Sequence, residues 1–104
     1  MLSLGLDLGG AHTKAVLVGE GGVKNSLLRY LPLWKEREKL GGLLRELGGW
    51  GAEAVGVVMT GELADVFPSR EEGVRELVGE VGRVWKGALF LTLEGRLVGR
   101  KEAL

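Results

Sequence analysis

The chain has 104 residues, 45% of them hydrophobic and 27% charged, which is enough for one domain with a single core and too apolar for a disordered segment. Its 14 basic and 14 acidic residues cancel, so no net field draws it to nucleic acid or to an anionic membrane surface, and neither is expected as a partner. The absence of cysteine excludes disulfide, thiolate-metal and cysteine-nucleophile chemistry, and with no signal-like N-terminus or bilayer-length apolar run a cytoplasmic location is expected.

From Leu2 to Leu8, apolar residues alternate with Ser3, Gly5 and Asp7, the period of two of a strand with one polar face. Beyond Gly9-Gly10-Ala11-His12, the apolar run Ala15-Val16-Leu17-Val18, bounded by Gly19, Gly21 and Gly22, predicts a second strand in a hairpin with the first. Val23 to Leu33 predicts a third strand, stopped by Pro32, which lacks the amide that a central ladder needs.

The periodicity then changes. From about Lys35 to Leu47, Leu40, Leu43, Leu44 and Leu47 recur at helical spacing behind the charged KEREK stretch at 35–39, which reads as a solvated face. Gly41 and Gly42 inside this helix each cost roughly 1 kcal/mol relative to alanine, so close packing or a bend is expected there. Gly48-Gly49 ends the helix.

Ala54 to Met59 is nearly unbroken apolar sequence and predicts a strand buried on both faces of a mixed sheet; Thr60, Gly61, Glu62 and Asp65 follow at its exit. Ser69 and Glu72 form a capping box, and Val74, Leu77, Val78, Val81 and Trp85 trace one face of a second helix that Gly87 closes. Ala88 to Leu93 predicts a fifth strand, Glu94-Gly95 a turn into Arg96-Leu97-Val98, and the last residues a frayed or helical tail. The order β-β-β-α-β-α-β predicts an α/β domain, a mixed sheet covered by helices.

The stretch GLDLGGAHTKAVL at 5–17 carries the polar groups. It lacks the G-x-G-x-x-G spacing of a dinucleotide site and the G-x-x-x-x-G-K-[ST] of a P-loop, and a strand rather than a helix follows it. Two readings remain. In one, Gly9 and Gly10 take positive φ and present backbone amides to a phosphate, Thr13 donates its hydroxyl, Lys14 adds a charge, and Asp7 holds a hydrated Mg²⁺ that removes its repulsion from the anion. In the other, the glycines make a tight turn that hydrogen-bonds to Asp7.

Asp7-Leu8-Gly9-Gly10 with Thr13 and Lys14 resembles the first phosphate motif of the actin, sugar-kinase and Hsp70 superfamily of ribonuclease H-like folds. LPLWKEREKL (31–40) and VMTGELADVFPSREEGV (58–74) narrow the resemblance to a family related to hydantoinase A and oxoprolinase, associated with tetrahydromethanopterin-linked one-carbon metabolism. One branch of that family is a methanofuran-biosynthesis enzyme that joins an aminomethyl-furan diphosphate to γ-glutamyltyramine with loss of pyrophosphate. Family members continue into an Asn-Trp segment, a second Asp-x-Gly phosphate motif and a second domain, none of which occurs in these 104 residues.

The resemblance therefore implies one domain over 1–104 that matches the N-terminal half of an actin-like ATPase or kinase, with half of a phosphate or diphosphate site. Asp7 would hold Mg²⁺, and Gly9, Gly10, Thr13 and Lys14 would grip the phosphate of ATP or of a diphosphate substrate. Glu62 and Asp65 would face the cleft as catalytic base or metal-water ligand; the other reading makes them charges at a helix start. Such a half-site needs a complementary chain with the second Asp-x-Gly motif. The alternative is a non-catalytic, self-associating assembly module, and a homodimer is expected.

Other polar and aromatic residues carry less. A lone His12 without cysteine or a second histidine reads as an exposed hairpin residue, and Ser69 as a cap rather than a nucleophile. Trp34, Trp50 and Trp85 read as core edges or interface groups, and Lys35 as part of the solvated face, with an anion contact as the alternative that its place in the family-like stretch implies.

Overall fold

A computed structural model of the chain describes residues 1–60, 68–91 and 96–103. Among these residues six strands and four short or medium helices follow one another as β1 (Ser3–Leu8), β2 (His12–Gly19), β3 (Gly22–Tyr30), α1 (Leu33–Glu36), α2 (Leu40–Gly48), β4 (Ala54–Met59), α3 (Arg70–Val84), β5 (Leu89–Leu91), β6 (Leu97–Val98) and α4 (Arg100–Ala103). They form one sheet in the order β3-β2-β1-β4-β5-β6. The first three strands are antiparallel, β4 joins β1 in parallel, β5 joins β4 in parallel, and β6 returns antiparallel to β5.

The alternation read from the sequence decides which face is buried. Leu4, Leu6 and Leu8 of β1 point inward beside Leu17, Ala15 and Thr13 of β2 and Val55 and Val57 of β4, as the ladder register requires. Against this face pack Leu40, Leu43, Leu44 and Leu47 of α2 and Leu77, Val78 and Val81 of α3, in one continuous core that also takes in Phe90.

The two longer helices thus share one face of the sheet, and among the described residues no helix covers the opposite face. Here β4 departs from the sequence expectation. Its apolar run is buried on one side only: Val58 is 44% exposed and Ala54 is exposed as well. A run without alternation cannot report whether a second layer is present, because valine suits a strand in either setting.

Helix α2 begins at Leu40, because the expected single helix from Lys35 is broken. A turn of α1 leads into a 3₁₀ segment at Arg37–Lys39, and Glu36 at the junction leaves helical geometry at φ −130° and ψ 27°. A Glu36–Lys39 ion pair of 2.9 Å spans the break, and Arg37 pairs with Glu76 of α3. The glycines in α2 allow close contact with α3. A Cβ on Gly48 would lie 2.8 Å from Val84 Cγ1, and one on Gly41 2.9 Å from a Glu80 carboxylate oxygen.

Helix α3 starts where the capping box places it, with the Ser69 hydroxyl accepting from the Glu72 amide at 3.2 Å. It stops at Val84, with Trp85 rather than Gly87 in the capping position. Trp50 and Trp85 pack at the rim of the core, whereas Trp34 is 54% exposed. The expected turn at Glu94-Gly95 lies outside the described residues. No described helix is long and apolar enough to cross a membrane.

Candidate functional site

The bend from Gly9 to Ala11 sits at the carboxyl end of β1, next to the carboxyl end of its parallel neighbour β4: Leu8 stands opposite Met59, and the Thr60 amide donates to Leu8 O at 3.0 Å. In open α/β sheets, adjacent parallel strand ends of this kind are where ligands lie. The segment leaving Thr60 contains Glu62 and Asp65. Both lie outside the described residues.

The bend is held from behind by the end of β3. Leu31 donates to Ala11 O at 2.8 Å and Leu33 to Gly10 O at 2.9 Å. Pro32 falls between these two donors, at the alternate position whose missing amide would face away from β2. The sequence marked Pro32 as a stop. It did not show that the residues on either side brace the bend, although buried Leu31 and Leu33 flanking an off-register proline are a legible signal.

Gly9 closes the turn itself, its amide donating to His12 O at 3.0 Å. Neither Gly9 nor Gly10 takes a positive φ; among the described residues only Gly21, Gly22 and Gly51 do. This corrects the expected reason for glycine at position 9. A Cβ there would sit 3.0 Å from His12 O, so the hydrogen needed is one of space rather than of left-handed backbone. No described group accepts the Gly10 and Ala11 amides, and both residues are half-buried. Two backbone donors at one bend are therefore left for an outside acceptor.

Asp7 and Lys14 stand opposite each other in the β1–β2 ladder and point to the open face, with Lys14 Nζ 4.0 Å from Asp7 Oδ2. Both side chains are about half exposed, so the pair is loose and available to solvent. Thr13 points the other way. It is 1% exposed, on the helix-covered face with Ala15 and Leu17, and its hydroxyl meets no hydrogen-bond partner among the described residues. Leaving such a group unpaired costs about 1–3 kcal/mol, which makes Thr13 the third unsatisfied polar group around the bend.

The site thus brings together Asp7, Lys14 and the Gly10 and Ala11 amides, with the Gly9 amide committed to the turn and Thr13 beneath it. His12 is exposed, as expected, and its ring meets Tyr30 edge-on at 5.3 Å. No group of three or more acidic, histidine or cysteine side chains able to hold a metal occurs among the described residues. A single exposed carboxylate does suit Mg²⁺ bound mainly through water and substrate phosphate.

No family model matches the chain. Along 99% of its length it is 30% identical to the (4-{4-[2-(gamma-L-glutamylamino)ethyl]phenoxymethyl}furan-2-yl)methanamine synthase of Methanocaldococcus jannaschii. It spans 31% of that protein. Two solved structures of an Aquifex aeolicus PPX-GPPA enzyme superpose on 79% of the chain and on 33% of their own length, with TM-scores of 0.55 and 0.57 at 17% and 19% identity. The fold is ribonuclease H-like, of the actin type. With the sheet order and the β4-α3-β5 crossover, this bears out the expected α/β class and element order.

Proposed function

We propose that the chain is the N-terminal half-site of a phosphate- or diphosphate-handling enzyme of the methanofuran and one-carbon-cofactor kind, related to hydantoinase A and oxoprolinase, and that it works with a second half carrying an Asp-x-Gly motif. The observation that carries this reading is the bend at the paired carboxyl ends of β1 and β4, where two backbone amides have no acceptor among the described residues, beside the Asp7–Lys14 pair. The similarity to a synthase of a phenoxymethyl-furan methanamine supports a diphosphate as the group bound, since in the family that the sequence resembles this ether forms with loss of pyrophosphate.

Each residue then has a part set by its position. The Gly10 and Ala11 amides, with Gly9 leaving room at the turn, meet phosphate oxygens. Lys14 supplies a positive charge from the neighbouring strand. Asp7 would hold Mg²⁺, which when bound would neutralise charge on the leaving pyrophosphate or on ATP. Thr13 would turn its unsatisfied hydroxyl to the bound group or to a water beneath it. Glu62 and Asp65 remain the proposed base or metal-water ligands. Phosphate and diphosphate chemistry needs charge neutralised from several sides, so turnover by this chain alone is expected to be negligible.

The test is calorimetric titration of the protein with pyrophosphate, ADP and ATP plus Mg²⁺, followed by amide NMR. Saturable binding that shifts the Gly10 and Ala11 resonances and disappears in Asp7→Ala supports the reading. If all three ligands leave those amides unmoved, the reading is wrong.

A further inference from the structure

The charges at the bend do not balance for a diphosphate. Asp7 and Lys14 face each other at 4.0 Å and cancel, which leaves the Gly10 and Ala11 amides as partial charges. A bound Mg²⁺ would offset only part of the several negative charges on two phosphoryl groups, so binding favours a further cation within reach.

His12 can become that cation. Its carbonyl accepts from the Gly9 amide at 3.0 Å, which ties its position to the turn that carries the Gly10 and Ala11 amides. Its side chain leaves β2 on the same face as Lys14, because Thr13 between them points into the core. Two strand steps are about 6.7 Å, so the two side chains start far enough apart to reach different phosphoryl groups of one ligand. The His12 ring is exposed and rests edge-on against Tyr30 of β3, with centroids 5.3 Å apart. It hydrogen-bonds to no described group, so both ring nitrogens are available as donors once the ring is protonated.

We infer that the His12 imidazolium holds the second phosphoryl group of a diphosphate, the first lying between Lys14 and the Gly10 and Ala11 amides. This rests on the reading of the bend as a phosphate site, and it adds a pH dependence to that site. On the face that His12 shares, β1 carries Asp7, β2 carries Lys14 and β3 places Tyr30 opposite the ring. Arg29 of β3 turns to the helix-covered face, toward Glu46 of α2, and Lys24 lies at the far end of the strand. Of these residue types only histidine ordinarily changes charge between about pH 5 and pH 8. The extra binding is therefore present at the acid end of that range and lost as pH rises through it.

Calorimetry with pyrophosphate and Mg²⁺ at about pH 5 and about pH 8 tests this on wild type and His12→Gln, with amide NMR on the same samples. The ratio of wild-type to variant affinity cancels the protonation of pyrophosphate itself. It should be about tenfold at the lower pH and close to unity at the higher. With inorganic phosphate it should stay near unity at both. His12→Lys, charged throughout, should bind pyrophosphate more tightly than wild type at the higher pH. If pyrophosphate shifts the Gly10 and Ala11 amides but the ratio is the same at both pH values, the inference falls and the phosphate site stands. If those amides do not move in either protein, both fall. An equal ratio for phosphate and pyrophosphate overturns the assignment to a second phosphoryl group, and a His12→Lys protein that binds no better than His12→Gln overturns the role of charge.

Discussion

The Thr13 hydroxyl is buried one position before Lys14, whose ammonium is exposed, so two neighbours in sequence serve opposite faces of the sheet at the same bend. Replacing Thr13 by valine keeps the shape and removes a buried hydroxyl with no described partner, so Thr13→Val should raise unfolding stability by about 1 kcal/mol in urea titrations. If the hydroxyl serves the bound anion, the same variant should bind pyrophosphate more weakly. A variant less stable than wild type would show that the hydroxyl is satisfied in the folded protein.

Asp7→Asn should act on binding and leave stability nearly unchanged. The Asp7–Lys14 pair is exposed and 4.0 Å long, so its loss should change stability by less than about 1 kcal/mol. Mg²⁺-dependent pyrophosphate binding should fall at least about tenfold. Parallel melting and calorimetry check both halves, and a large drop in melting temperature would assign Asp7 a structural part instead.

The glycines of α2 are not equivalent. Among the described residues Gly42 has only an Arg45 guanidinium nitrogen near its Cβ position, at 3.8 Å, so Gly42→Ala should stabilise the protein by about 0.5–1 kcal/mol through helix propensity. Gly48→Ala drives a methyl group to 2.8 Å from Val84 Cγ1 and should destabilise it by about 1–3 kcal/mol. Opposite shifts in urea midpoint are the expected outcome.

Ser69→Ala removes the acceptor of the Glu72 amide and should cost about 1 kcal/mol, with Ser69→Asp restoring most of it. Ligand binding should be the same in both variants. Any loss of binding beyond what unfolding explains would count against a purely capping role.

The Glu36–Lys39 pair gives a pH signature. The hydrogen bond from Lys39 holds the Glu36 carboxyl below its ordinary value of 4.5, and the same bond raises Lys39 above 10.5. The carboxyl contributes stability that is complete above its unfolded value and is lost as pH falls through the lowered folded one. The ammonium contributes stability that is complete below its unfolded value and is lost as pH rises through the raised folded one. The stability difference between wild type and Glu36→Gln should therefore be flat through neutral pH and vanish in acid. A difference that persists in acid would assign it to something other than this pair.

Much of the architecture was legible in the sequence because period and punctuation are local. Alternation marked β1 and its inward face, leucine spacing marked α2, and Ser69 with Glu72 marked the start of α3. The break before Leu40 was not legible, since it depends on Glu36, Lys39, Arg37 and a glutamate of the distant α3. At the bend, the sequence identified Asp7, Gly9, Gly10, Thr13 and Lys14 but not the direction each group faces.

By itself the sequence determined the element types, the strand that carries Asp7 and the place where the chain turns, because each follows from residues within a few positions of one another. Only the tertiary structure decided that α2 and α3 share one face, that β4 is half covered, that Leu31 and Leu33 brace the bend from behind, and that Gly5 and Gly56 lie side by side. Those relations join residues tens of positions apart, and they follow from how helices and strands choose neighbours when the chain closes its core.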